Sequence, residues 1–196
     1  MNAPFTVAML AGGASRRMGQ DKATLRIGGQ ELGERVLVAA LLVGASEVLA
    51  VGGDCAPLQE QGWRHVADLW PGEGPLGGII SALTFAANEM VVVVACDLPD
   101  VDDEVLQYLV GECAAHPSAM VVVPDRDGRP EVLHAVWRRG ALAVLRGLFD
   151  DGERSPTAAL ARIEVLHVRV AEPSLRDLDT PDDLAQYLLD HPEADG

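Results

Sequence analysis

Within thirteen residues, LAGGASRRMGQDK from Leu10 to Lys22, the chain gathers three glycines, two arginines and a lysine. Ala11, Gly12 and Gly13 follow the apolar run Phe5 to Leu10 and take bulk away where a backbone would have to approach a ligand closely. Phosphate is the chemistry that suits such a loop. Bare backbone N–H groups can point at its oxygens, Arg16 can grip two oxygens at once, Lys22 adds a point charge, and Gly19 permits a second turn. Arg17 ranks below Arg16 because adjacent loop side chains seldom face the same way. Neither G-x-x-x-x-G-K-[ST] nor G-x-G-x-x-G can be read between Gly12 and Lys22, so this is a different phosphate loop from those two.

Two carboxylates stand out further along. Asp97 follows four valines, an alanine and a cysteine, at the tip of the most apolar run in the chain. Such a rigid mount suits magnesium, which takes one or two carboxylates together with phosphate oxygens and water. The alternative is that Asp97 caps the helix that begins near Asp102 or satisfies loop N–H groups. Asp68 opens a proline- and glycine-rich stretch, DLWPGEGPLGG, and a carboxylate there can accept from the paired N1–H and N2–H₂ donors of guanine, an edge that cytosine and uracil lack. A turn-forming aspartate is the other reading.

The elements that must position these residues follow from periodicity. Strands are expected at Phe5 to Leu10, Glu47 to Val51, Arg64 to Ala67, Val91 to Ala95, Ala119 to Pro124, Glu131 to Trp137 and Ile163 to Val170. Ala23 to Ile27 reads as a short extended segment ending in the turn Gly28-Gly29. Helices are expected at Glu31 to Val43, with Leu32, Val36, Leu37, Ala40 and Leu41 on one face, and at Leu76 to Asn88, Asp102 to Ala114, Arg138 to Phe149, Ser155 to Arg162 and Pro181 to Leu189, the last capped by Thr180. The second of these helices begins inside the glycine-rich stretch, leaving N–H groups at its start open to a ligand. Strands alternating with helices imply a three-layer α/β/α sandwich on a mostly parallel, Rossmann-like sheet. Ligands of such sheets sit beyond the carboxyl ends of the strands, where the glycine loop, Asp68 and Asp97 all fall.

Composition sets the remaining bounds. The 196 residues fit one domain, 1–190, with HPEADG at 191–196 as a frayed tail. Thirty acidic against fifteen basic residues give a net charge of -15, which repels nucleic acid and anionic membrane; an anionic nucleotide would need local cations and a metal. No segment approaches the roughly 20 apolar residues that span a bilayer, and MNAPFTVAML lacks a signal peptide's basic start, so a cytoplasmic address is expected. Cys55, Cys96 and Cys113, odd in number and without C-x-x-C spacing, read as reduced thiols.

Four motifs taken together, LAGGASRRMGQDK, GPLGG at Gly74 to Gly78, CDLPD around Asp97 and LDTPDDL from Leu178 to Leu184, resemble the molybdenum cofactor guanylyltransferase (MobA) family, a branch of the nucleotide-diphospho-sugar transferase-like fold. The resemblance implies that GMP is transferred from GTP to the phosphate of molybdenum-bearing molybdopterin, by in-line attack at the α-phosphorus with release of pyrophosphate. It implies nucleotide contacts at Leu10, Ala11, Gly12, Gly13, Lys22, Asp68 and Asp97, catalytic roles for Arg16, Lys22 and Asp97, Mg²⁺ on Asp97, and molybdoenzymes or their chaperones as partners. Relatives that transfer cytidylyl groups tend to carry Ala-Ala-Gly in the first motif and Pro-Lys at Asp21-Lys22, so the forms here lean toward guanine. Where many members show an asparagine pair before Thr-Pro, this chain has Asp177 and Asp179; the asparagine expected near Gly53 is absent, and RPEVLHAVWRR matches only loosely. Within that segment Arg129 has no assigned role, and His134, inside an apolar run, reads as a satisfied core residue. The alternatives are a cytidylyltransferase or other nucleotidyltransferase of the same fold, and a non-catalytic nucleotide- or cofactor-binding chaperone.

Overall fold

The computed structural model describes residues 3–12, 22–126, 128–170 and 181–190. In chain order the strands are β1 (Phe5–Leu10), β2 (Arg26–Ile27), β3 (Gln30–Glu31), β4 (Glu47–Val51), β5 (Arg64–Val66), β6 (Met90–Ala95), β7 (Val121–Arg126), β8 (Arg129–Pro130), β9 (His134–Arg138) and β10 (Val165–Arg169). The helices are α1 (Leu32–Leu42), α2 (Cys55–Gln61), α3 (Pro75–Phe85), α4 (Asp103–Ala115), α5 (Leu142–Asp150), α6 (Pro156–Ala159) and α7 (Pro181–Asp190). The main sheet runs β10-β7-β9-β6-β1-β4-β5, with β8 paired to β7 alone.

Alternation along β1 explains the layering. Val7 and Met9 point to one face, where α1, α2 and α4 bury Val36, Ala40, Leu58, Leu106 and Leu109 around them. Ala8 and Leu10 point to the other, against Leu76, Ile79, Ile80 and Leu83 of α3 and Leu145 and Phe149 of α5. All six residues of β1 are buried, as are the first five of β6, which is what the middle of a sheet covered on both faces requires. The expected three-layer sandwich is therefore present, and its sheet is mostly parallel. β8 and β9 are the exceptions: β9 inserts antiparallel between β6 and β7, and β8 pairs antiparallel with the end of β7. Among the described residues no helix is long and apolar enough to cross a membrane.

Several expectations are corrected. Cys55–Gln61 forms a helix where the pattern suggested only a connection, capped by Asp54, which accepts from Ala56 N–H, and ended by Gly62 in the left-handed region at φ 110°. Residues Lys22–Thr24 make a 3₁₀ turn, and Arg26 to Glu31 closes into a small hairpin over Gly28-Gly29 instead of a lone extended segment. Leu41, placed on the apolar face of α1, is 58% exposed, and the buried stripe is Leu32, Gly33, Val36, Ala39 and Ala40. Thr180, expected as the cap of α7, and the tail at 191–196 lie outside the described residues. Cys55, Cys96 and Cys113 take part in no disulfide, in line with the reading as thiols.

His134 is buried as predicted, yet its Nε2 finds no hydrogen-bond partner, so it is not the satisfied core residue anticipated. Burial, and secondarily the Arg126 guanidinium, pushes its pKa down to about 4 from 6.5. Between those values the unfolded chain holds a proton that the folded one does not, so stability falls as pH drops through this window, by on the order of 3 kcal/mol in all. His134→Leu is expected to match or exceed the wild-type stability at pH 7 and to lose that acid-side decline, read from urea unfolding at pH 7 and pH 4.5. An equally steep decline in the variant would contradict this account.

Candidate functional site

Parallel pairing sets the heights of three strand ends. Leu10 is level with Val51 on one side and Ala95 on the other, and Val51 is in turn level with Val66. Two residues past these positions the chain reaches Gly12, Gly53, Asp97 and Asp68, side by side at the carboxyl edge of the sheet. The strands carrying Gly12 and Asp97 are direct neighbours, about 4.8 Å apart.

Backbone approaches backbone closely here. A Cβ on Gly52, which has φ +70°, would stand 3.0 Å from Gly12 Cα and 3.2 Å from Gly12 N, and a Cβ on Gly53 would stand 2.8 Å from the Ala11 side chain. Ala11 and Gly12 both donate their N–H to the Val51 carbonyl at 3.0 Å. Those two amides are thus spent, which differs from the expectation that bare N–H groups begin at the first glycines. Leu10 turns its side chain into α3, where a Cβ on Gly78 would meet it at 3.1 Å.

Asp68 is held by one oxygen. Its Oδ1 accepts from Trp70 N–H at 3.0 Å, forming a turn, and lies 3.1 Å from the Ser81 hydroxyl. That hydroxyl accepts from Leu69 N–H at 3.0 Å, and its single proton serves either Oδ1 or the Gly77 carbonyl 2.9 Å away. Oδ2 faces Gly12, 3.7 Å from where a Cβ would be. Asp68 thus forms the turn and also presents an oxygen to the glycine loop, so the two readings of this residue are compatible.

The loop after Asp68 is braced from below. Trp70 packs on Phe149 with ring centroids 5.1 Å apart, Arg146 lies 5.3 Å above Trp70, and Arg154 pairs with Glu73 at 2.8 Å. Gly74, at φ 95°, leads into Pro75 at the first turn of α3, and no side chain caps that helix start. The open N-terminus expected from the GPLGG motif is therefore present, behind Leu10.

Asp97 is half-buried beyond the end of β6, before the turn Pro99-Asp100. The separate residue Asp102 caps α4, accepting from Glu104 N–H at 2.8 Å, so Asp97 is not that helix's cap. Among the described residues no group of three or more His, Cys, Asp or Glu side chains is placed to share a metal. One carboxylate at a strand tip still fits magnesium, a hard cation content with one or two protein carboxylates when phosphate and water complete its shell. Gly13, Arg16, Arg17, the Lys22 side chain, Asp177 and Asp179 lie outside the described residues. His134 sits on β9 opposite Val94, one residue short of the end of β6, and is buried.

Residues 7–166 match the family described as the MobA-like NTP transferase domain. The chain belongs to that family. It is 38% identical over 192 residues, 90% of this chain and 89% of the other, to a protein of Chloroflexus aggregans described as a probable molybdenum cofactor guanylyltransferase. A protein of Methanothermobacter thermautotrophicus with the same description is 32% identical over 91% of this chain and 96% of its own. Among solved structures, molybdopterin-guanine dinucleotide biosynthesis protein A of Archaeoglobus fulgidus superposes with a TM-score of 0.76 at 28% identity, covering 92% of this chain and 95% of that one. A MobA-like NTP transferase is a nucleotidyltransferase; in this chain Gly12, Asp68 and Asp97 each follow the carboxyl end of a strand of one sheet, with Asp68 Oδ2 toward Gly12.

Two contributors escaped the sequence reading. Gly52 is marked in the sequence only by the pair Gly52-Gly53 after β4, and Ser81 only as the one polar residue among the buried positions of α3. Gly52→Ala is expected to cost roughly 1–3 kcal/mol, from its left-handed φ together with the clash on Gly12. Gly44→Ala, at φ +79° with nothing within 4 Å of its Cβ, carries the backbone strain alone and is the control. Equal urea-unfolding losses for both would show that the Gly12 contact contributes nothing.

Proposed function

We propose that this MobA-like nucleotidyltransferase transfers GMP from GTP to the terminal phosphate of molybdopterin, releasing pyrophosphate. What supports this reading most is that Gly12, Asp68 and Asp97 each follow the carboxyl end of a strand of one sheet, with Asp68 Oδ2 toward Gly12, in a chain whose relatives include probable molybdenum cofactor guanylyltransferases. An oxygen of the pterin phosphate forms the new bond to the α-phosphorus, and the bond from that phosphorus to the bridging oxygen of the β-phosphate breaks. The electron pair leaves with pyrophosphate. The nucleophile is already an anion, so no side chain must remove a proton, and the protein's part is positioning and charge neutralisation.

In this reading Gly12 and Gly13 keep the surface bare for the nucleoside and phosphates, and Arg16 and Lys22 neutralise the departing pyrophosphate. Asp97 would hold Mg²⁺, which supplies charge neutralisation on the phosphates when bound. Asp68, turned by Trp70 N–H and Ser81, offers Oδ2 to the guanine edge. Molybdoenzymes or their chaperones would receive the product, and a cytoplasmic address suits that supply.

Asp97→Ala and Lys22→Ala are each expected to lower pyrophosphate release with GTP, Mg²⁺ and molybdopterin by roughly a hundredfold or more while keeping a wild-type circular dichroism spectrum. Unchanged turnover in either variant would remove that residue from the mechanism. Asp68→Asn can keep its acceptor toward Trp70 N–H but replaces Oδ2 by a donor, so the preference for GTP over CTP should fall roughly tenfold to a hundredfold. A preference for CTP in the wild-type protein would favour the cytidylyl alternative, and GTP binding without pyrophosphate release in the presence of molybdopterin would favour the chaperone.

A further inference from the structure

We propose that Arg35 is a positioning residue of the transfer site, its guanidinium holding the segment that follows the cationic loop and the turn that follows Asp97 at one fixed separation. Its consequence for turnover rests on the guanylyl-transfer reading; the brace itself does not. Arg35 lies in the first turn of α1, and its Nη2 donates to the Ile27 carbonyl at 2.7 Å while its Nη1 donates to the Pro99 carbonyl at 2.9 Å. Ile27 lies five residues beyond Lys22, and Pro99 two beyond Asp97. The two segments assigned to the triphosphate and to its divalent ion are thus tied through one planar side chain.

The same turn of α1 grips the first segment in two other ways. Leu32 N–H donates to the Leu25 carbonyl at 3.0 Å, and a Cβ on Gly33 would stand 3.0 Å from the Ala23 carbonyl, so helix and segment move together. On the far side, Tyr187 of α7 donates its hydroxyl to Asp100 Oδ1 at 2.8 Å, next in sequence to the Pro99 carbonyl that Arg35 holds. Tyr187 also closes a small cluster with Ile27 and Leu32, so α7 locks the joint from outside. Lysine cannot replace this arrangement, because a single ammonium lacks the rigid fork that reaches two carbonyls on different segments. Arg35 Nε is buried without a hydrogen-bond partner, which costs stability, so the side chain brings less net stability than its two bonds suggest.

The test compares Arg35→Met, Arg35→Lys and Tyr187→Phe with the wild-type full-length protein by three measurements: melting temperature, amide hydrogen exchange, and pyrophosphate release as a function of GTP and Mg²⁺. Arg35→Met is expected to speed exchange at residues 25–28 and 98–100 together and to lower kcat roughly tenfold to a hundredfold. The KM for GTP should change by less than about threefold while the Mg²⁺ requirement rises, and Arg35→Lys should recover only part of the loss. Tyr187→Phe, which keeps the ring in its cluster, should move the same quantities in the same direction by a smaller factor, and carries the test where Arg35→Met does not fold. Wild-type exchange in both segments, or wild-type kcat and Mg²⁺ dependence in both Arg35→Met and Tyr187→Phe, would overturn the proposal. Absence of pyrophosphate release by the wild-type protein would refute the guanylyl-transfer reading instead, and faster exchange at both segments in Arg35→Met would still establish the brace.

Discussion

The parallel ladder joining β4, β1 and β6 is the constraint on which the site depends. Its hydrogen bonds fix Leu10 level with both Val51 and Ala95, so the chain leaves three neighbouring strands at one height. A slip of one residue would exchange the faces of Val7 and Met9 with those of Ala8 and Leu10, and both core clusters would lose their packing. The burial that stabilises the sheet is therefore what brings Gly12 beside Asp97. Only fine adjustment is left to local contacts: glycines where backbones nearly touch, a turn that aims Asp68, and a guanidinium between the two outer segments.

Much of this was legible in the residues. The runs FTVAML and MVVVVA are apolar without interruption, and only a strand covered on both faces tolerates that, so the sheet's centre and the placing of Asp97 at its edge followed directly. Long helices with capping signals, such as α4 behind Asp102, were equally plain. What failed was short or depended on partners. α2 spans seven residues and buries one of them, Leu58, too few to show a period, although Asp54 at its start and Gly62 at its end were usable signs. The direction of β9 is invisible in its alternation. The six residues between the expected strands Ala119 to Pro124 and Glu131 to Trp137 are the one sign of a reversal, because a parallel return needs a crossover of a dozen residues or so.

The site divides in the same way. Gly12, Asp68 and Asp97, which we propose for the site, could be singled out because each sits where a strand ends and a loop begins, a place where residue type speaks for itself. Gly52, Ser81 and Arg35 act through residues distant in sequence, and nothing local marks such a contact. His134 shows the converse: its apolar neighbours announced that it is buried, but whether its ring nitrogens find partners is decided by surroundings that periodicity does not describe. The spent amides of Ala11 and Gly12 belong here too, since only the strand register reveals that Val51 already occupies them.

The central claim is that one GTP lies across this sheet edge with its divalent ion at Asp97 and its base at Asp68. A crystal structure with a non-hydrolysable GTP analogue and Mn²⁺, whose anomalous signal locates the ion, tests it most directly. The account predicts the ion within roughly 2.2 Å of an Asp97 carboxylate oxygen and the guanine N1–H and N2–H₂ donors on Asp68 Oδ2. An ion bound elsewhere, or a nucleotide lying away from Gly12, would contradict it.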